Sequence, residues 1–161
     1  MTPPKPATLV IGIGNPYRSD DAAGLMVARL LKKRSPSSCR VYEHSGEGTS
    51  LMELWAGADL VIVVDAVRAG DSPGAVNNFD AAHGPLPAKM YRDSTHTFGL
   101  VEAVELSRAL NQLPRKLVVY GIEGRDFAAG TTLSPAVELA INHVVEDVLQ
   151  ELDGYKCGSS D

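Results

Sequence analysis

Three stretches of the chain are apolar almost without interruption: Thr8–Ile13 (Thr-Leu-Val-Ile-Gly-Ile), residues 60–64 (Leu-Val-Ile-Val-Val) and residues 117–122 (Leu-Val-Val-Tyr-Gly-Ile). None alternates polar with apolar, which is how strands covered on both faces read, as in a parallel sheet. Weaker strand patterns at 40–43 and 75–79 bring the predicted count to five. Elsewhere the apolar spacing lengthens to that of a helix. Ala23, Val27, Leu30 and Leu31 share a face in a segment ending Lys32-Lys33-Arg34, where cations suit the negative end of the helix dipole. Residues 49–56 fit a short second helix closed by Gly57. Leu100, Ala103, Val104 and Ser107 form the inner stripe of a third, with Glu102, Glu105 and Arg108 outside. In the last helix Ser134 reads as N-cap and Pro135 as first residue. Val137, Ile141, Val144, Val145, Val148 and Leu152 make its stripe. Strands alternating with helices imply right-handed βαβ crossovers and a three-layer α/β sandwich. Its sheet would be mostly parallel and twisted, of about five strands flanked by helices.

Length and charge narrow this picture. The 161 residues are expected to form a single domain, with residues 1–7 and 155–161 as frayed polar tails. Fifteen basic against twenty acidic residues, a net charge of −5, argue against a nucleic-acid partner, which calls for a basic face. Two cysteines, Cys39 and Cys157, make neither a disulfide framework nor a Cys-based zinc site. The first residues hold no apolar signal segment and no run approaches 18 apolar residues. The expectation is a soluble, cytoplasmic protein with no membrane partner. A monomer is expected too, since no broad apolar surface stripe is evident. Residues 68–93, with three prolines and three glycines, read as a long surface excursion around one short strand. Its Arg68, His83, Lys89 and Arg92 could help grip a substrate, but read first as solvated loop charges.

In an open α/β sheet the ligand crevice lies beyond the carboxyl ends of the strands. The first strand runs into Gly12-Ile-Gly14-Asn-Pro-Tyr17-Arg-Ser-Asp20-Asp21-Ala-Ala-Gly24. A dinucleotide fingerprint fails here, because Tyr17 stands where the third glycine of GxGxxG belongs. Asp20 and Asp21 open the first helix, either as helix-end electrostatics or, with Ser19 as N-cap, with one acid left for chemistry. Asp65 follows the most buried strand, as a capping residue or as a tunable carboxylate. His44, His83 and His143 read as ordinary polar residues. His96 sits at the entry of the third helix, where an imidazole can face the crevice. One acid of the Asp20-Asp21 pair, Asp65 and His96 together make an oxygen-and-imidazole array suited to borderline divalent ions including nickel, or an acid pair with a histidine for proton transfer.

Several blocks carry a resemblance. Gly12-Ile-Gly-Asn15 with Asp20-Asp21-Ala-Ala-Gly24 resembles the N-terminal signature of the hydrogenase maturation proteases. In the same order follow Gly46-Glu-Gly-Thr49 with Leu51, Val63-Val-Asp65-Ala-Val67, Ser94-Thr-His96-Thr-Phe-Gly-Leu100 and Val119-Tyr-Gly-Ile-Glu123. The resemblance spans residues 9–152. It implies an endopeptidase that removes a short C-terminal extension from the large-subunit precursor of a [NiFe]-hydrogenase after nickel insertion. The implied nickel belongs to the precursor rather than to the enzyme. The family's metal-contacting residues fall on Asp21, Asp65 and His96, with Asp21 standing where some members carry Glu. The Gly12-Ile-Gly-Asn-Pro16 turn is also similar to that of peptidyl-tRNA hydrolases, although Arg18-Ser-Asp-Asp21 replaces their continuation. A non-catalytic metal- or nucleotide-binding module is the third reading.

Overall fold

The structure, a computed structural model, describes residues 7–91 and 96–158. Five strands, β1 (Thr8–Ile13), β2 (Cys39–His44), β3 (Leu60–Val67), β4 (Val76–Asp80) and β5 (Lys116–Glu123), form one sheet in the order β2-β1-β3-β5-β4. All neighbours are parallel except β4, which runs antiparallel to β5 at the edge. Four helices, α1 (Ala23–Arg34), α2 (Gly48–Trp55), α3 (Leu100–Ala109) and α4 (Pro135–Gly158), complete the three layers expected from the sequence.

The unbroken apolar strands are apolar because each has two faces to cover. Val10, Ile62, Val64, Tyr120 and Ile122 pack with Ala23, Val27 and Leu31 of α1 and with the α4 stripe. Leu9, Ile11, Val61, Val63, Leu117 and Val119 pack with Leu51 and Trp55 of α2 and with Leu100, Ala103 and Val104 of α3. Trp55 keeps its indole N–H satisfied in that core by donating to the Ser107 hydroxyl at 3.2 Å. Against the other face, α1 comes down onto the strands at two glycines. A Cβ on Gly12 would strike the Gly24 carbonyl, and one on Gly24 would strike the carbonyls of Ile13 and Val64. The glycines of the first turn therefore serve helix–sheet packing.

Three boundaries differ from expectation. Strand β3 continues to Val67, so Asp65 lies within it, paired in register with Gly121. The segment predicted as a tail from Tyr155 continues α4 to Gly158; residues 1–6 and 159–161 of the expected tails lie outside the described residues. Ser19 is not a helix cap. It opens a 3-10 turn, Ser19–Ala22, and its hydroxyl donates to the Ala128 carbonyl at 2.8 Å. Among the described residues no helix is long and apolar enough to cross a membrane.

Candidate functional site

The strand order itself locates the crevice. From β1 the chain first crosses to β2 on one side, then returns to place β3 on the other, so the connections diverge between β1 and β3. Strand β1 ends at Ile13, and the β1–β3 pairing ends at Gly12↔Val64. Beyond it Asp65 points to the same face as Val61 and Val63. One pocket opens there, and its lining includes Asp21, Asp65 and His96, contributed by the β1–α1 connection, by β3 and by the approach to α3. Three residues separated by as many as 75 positions thus meet in space.

Their electrostatics are coupled. Burial raises the Asp21 carboxyl above its ordinary pKa, against the opposing pull of Arg18, the Asn15 backbone N–H and His96. Arg18 Nη1 lies 3.7 Å from the Asp21 carboxylate. Asp65 is pushed well above the carboxylate range, by desolvation first and by the Asp21 charge second, with only the Ala66 N–H opposing. Acids raised by burial and facing one pocket make it a candidate for a reactive site. His96 is oriented by its backbone environment: Nε2 lies 3.0 Å from the Ser45 carbonyl oxygen. A carbonyl only accepts, so Nε2 carries the proton and in the neutral ring Nδ1 holds the lone pair.

The loop behind His96 is fixed in turn. His44 Nδ1 accepts from the Gly46 N–H at 2.9 Å, and its Nε2 lies 3.1 Å from the Ser50 hydroxyl. With Nδ1 accepting, the neutral ring carries its proton on Nε2 and donates it to Ser50, so this is no base–nucleophile dyad. Gly48 donates to the Phe98 carbonyl at 2.8 Å. Glu47 caps α2 through the N–H groups of Thr49 and Ser50. The Gly46–Thr49 turn is thus a seat for the histidine block.

Asp20 and Asp21 part company completely. Asp20 is 0% exposed, and its carboxylate accepts from the N–H groups of Arg125, Asp126 and Ser134 and from the Ser134 hydroxyl, at 2.8–2.9 Å. Burial alone would raise its pKa, but these hydrogen bonds outweigh it and hold the group below its ordinary value. Asp20 ties the 3-10 turn to the β5–α4 connection, and it frees its neighbour to face the pocket. The Ser134 hydroxyl is engaged by Asp20, while Pro135 opens α4 as expected.

Sequence reasoning missed several lining residues. Arg68, read as a solvated loop charge, lines the pocket with its guanidinium 4.7 Å from the Phe127 ring centroid. Tyr91 lines it from a second 3-10 turn, Ala88–Tyr91, inside the Pro/Gly-rich excursion, where no periodicity marks it. Glu123, 3% exposed, holds the start of that excursion by accepting from the N–H groups of Ala69, Gly70 and Asp71. His83 and His143 are exposed and lie beside Asp80 and Asp147. Arg92 lies outside the described residues, as does the side chain of Lys89. Among the described residues, no three His, Cys, Asp or Glu side chains stand close enough to close around a metal ion.

A doubly wound sheet with two carboxyls raised by burial and an oriented imidazole at its switch point makes this pocket the candidate active site of an α/β protein. The hydrogenase maturation protease family model matches residues 25–151, and the chain belongs to that family. It is a peptidase. Its relatives include a hydrogenase expression/formation protein, HupM, of Azotobacter chroococcum mcd 1, 29% identical over 91% of this chain and 75% of that protein. The hydrogenase 2 maturation protease of Escherichia coli K12 is 28% identical over 89% of each chain. Among solved structures, the hydrogenase maturating endopeptidase HybD from E. coli superposes with a TM-score of 0.79 at 25% identity, covering 92% of this chain and 93% of the other. The choice between peptidase, peptidyl-tRNA hydrolase and binding module resolves to the first.

Proposed function

We propose that the chain is the endopeptidase that removes the C-terminal extension of a nickel-loaded [NiFe]-hydrogenase large-subunit precursor, and that nickel is the recognition element. The observation that carries this reading is the meeting of Asp21, Asp65 and His96 in one pocket at the switch point. Two carboxylate oxygens and an imidazole nitrogen suit a borderline divalent ion such as nickel. As they stand they are not close enough to close around an ion by themselves, so this reading requires the precursor, which delivers the nickel, to bring the remaining ligands and draw the three donors onto it. An unloaded precursor leaves the three donors unsatisfied and docks poorly, which makes processing report on nickel insertion. Once docked, water adds to the scissile carbonyl, the C–N bond breaks, and the released amine takes a proton. The enzyme acts in the cytoplasm as a monomer in this reading.

The test compares nickel-loaded with unloaded precursor, following loss of the extension by mass. Wild-type protein is expected to cleave only the loaded form, and Asp21→Asn neither, while its melting curve stays that of a folded protein. Normal cleavage by Asp21→Asn, or equal cleavage of both precursors, overturns the assignment.

A further inference from the structure

Two buried acids outside the Asp21, Asp65 and His96 set hold a further stretch of the pocket wall. Glu123, the last residue of β5, is 3% exposed and accepts from the N–H groups of Ala69, Gly70 and Asp71. Asp20, 0% exposed, accepts from those of Arg125 and Asp126 in the connection that follows β5. The two held connections leave the sheet side by side. Val67 and Glu123 are register partners, and the Gly124 N–H donates to the Val67 carbonyl at 3.1 Å. One connection delivers Arg68 and the other Phe127, and both residues line the pocket. Phe127 lies across Gly124, where a Cβ would stand 2.6 Å from its ring, and the carbonyl of the next residue, Ala128, accepts from the Ser19 hydroxyl. The Arg68 guanidinium sits over that ring, 4.7 Å from the centroid, and the residue is exposed to solvent. Each connection is already held by its own buried acid, independently of the stack. What the stack fixes is a permanent cation with planar N–H donors in the wall of a concave site.

We propose that Arg68 is a specificity-determining residue, whose guanidinium binds a carboxylate of the precursor's C-terminal extension. This rests on the peptidase reading above. Two sources carry that chemistry, the terminal carboxylate and an acidic side chain of the extension. A guanidinium meets a carboxylate through two parallel N–H···O bonds, and an aromatic face beneath it limits the freedom lost on binding. Asp21 and Asp65 repel an anion brought among them. The carboxylate therefore belongs at Arg68, on the wall built by the other two connections, and the three proposed nickel donors stay clear of it. The contact is the same before and during reaction, so it serves binding and leaves the chemical step alone.

The experiment measures processing over a range of nickel-loaded precursor concentrations, at low and high salt, by wild type, Arg68→Gln and Arg115→Gln. Arg115 precedes β5 at the end of the sheet away from the pocket, and its variant carries the same change of charge. Arg68→Gln is expected to raise the half-saturating concentration about tenfold, the scale for losing one charged hydrogen bond. Its rate constant at saturation should stay at the wild-type value, and its half-saturation should respond less to salt. Arg115→Gln should match wild type. Precursor with an amidated C-terminus, and precursor with the extension's acidic side chains replaced by amides, separate the two sources. Whichever carries the contact raises the wild-type value to that of Arg68→Gln and changes the variant no further. These substrate arms use the wild-type enzyme, so they decide the matter even where Arg68→Gln melts early. Unchanged half-saturation in Arg68→Gln overturns the proposal, as does an equal rise in Arg115→Gln or a loss confined to the rate constant. So does a precursor stripped of both carboxylate sources that wild type still handles at its original half-saturation. Failure of the wild-type enzyme on unaltered loaded precursor overturns the nickel reading, and this proposal with it, and is seen in that arm alone.

Discussion

Asp20 and Asp65 carry the same side chain, and their environments have opposite thermodynamic signs. Asp20 has a folded-state pKa below its ordinary value of 3.8, so it stabilises the protein above that pH and the contribution is lost as pH falls through the depressed value. Asp65 has a folded-state pKa well above 3.8. Its environment favours the neutral form, so that contribution is full in acid and is lost as pH rises through the raised value. Replacing Asp20 by Asn leaves buried donors facing an amide and should lower stability by about 3 kcal/mol, a Tm fall on the order of 10 °C. Replacing Asp65 by Asn removes a carboxylate the fold resists charging. It should raise the Tm at pH 7 by a few degrees, with the gain vanishing below about pH 4, while processing is lost. Thermal melts of both variants across pH check the pair. The same direction of change in both at neutral pH would refute the division between a structural and a reactive acid.

At the scale of elements, the site depends on how the Gly46–Thr49 turn, α2 and the approach to α3 lock together. Gly48 donates to the Phe98 carbonyl, and a Cβ there would strike the Phe98 ring and stand 2.9 Å from the Gly99 oxygen. Gly48→Ala must therefore move the histidine block away from α2. It should cost about 1–3 kcal/mol and reduce processing at least tenfold on the order-of-magnitude expectation for a displaced catalytic group. Melting and a processing rate measured together test this, and a variant with wild-type values in both would show that the contact does not position His96. The sequence pattern made the strands and helices legible to within a residue or two at most boundaries, because apolar period is a local property. It did not show the purpose of Gly12, Gly24, Gly48 or Gly121, each of which is glycine because another element packs against it.

For the molecule as a whole, a net charge of −5 gives no field to attract phosphate backbones. Transfer RNA at low salt should not be retained on immobilised protein; salt-sensitive retention would revive the hydrolase reading that the Gly12–Pro16 turn suggests. The fold class and the three candidate residues were readable beforehand, the latter from strand-end placement and from resemblance. Tyr91, Arg68 and the role of Glu123 were not, since they lie in or act on an excursion without periodicity, and only the folded chain brings that excursion back over the end of the sheet.

The sequence by itself determined the alternation of strands and helices and the two-faced burial of the sheet, because hydrophobic spacing along a chain dictates which surfaces must be covered. Tertiary structure alone decided how Asp20 is engaged, and so why it is Asp21, the acid the resemblance pointed to, that faces the pocket. They are identical side chains one peptide bond apart. The donors that claim Asp20 come from Arg125, Asp126 and Ser134, more than a hundred positions away, and their arrival leaves Asp21 to face Asp65 and His96 across the pocket.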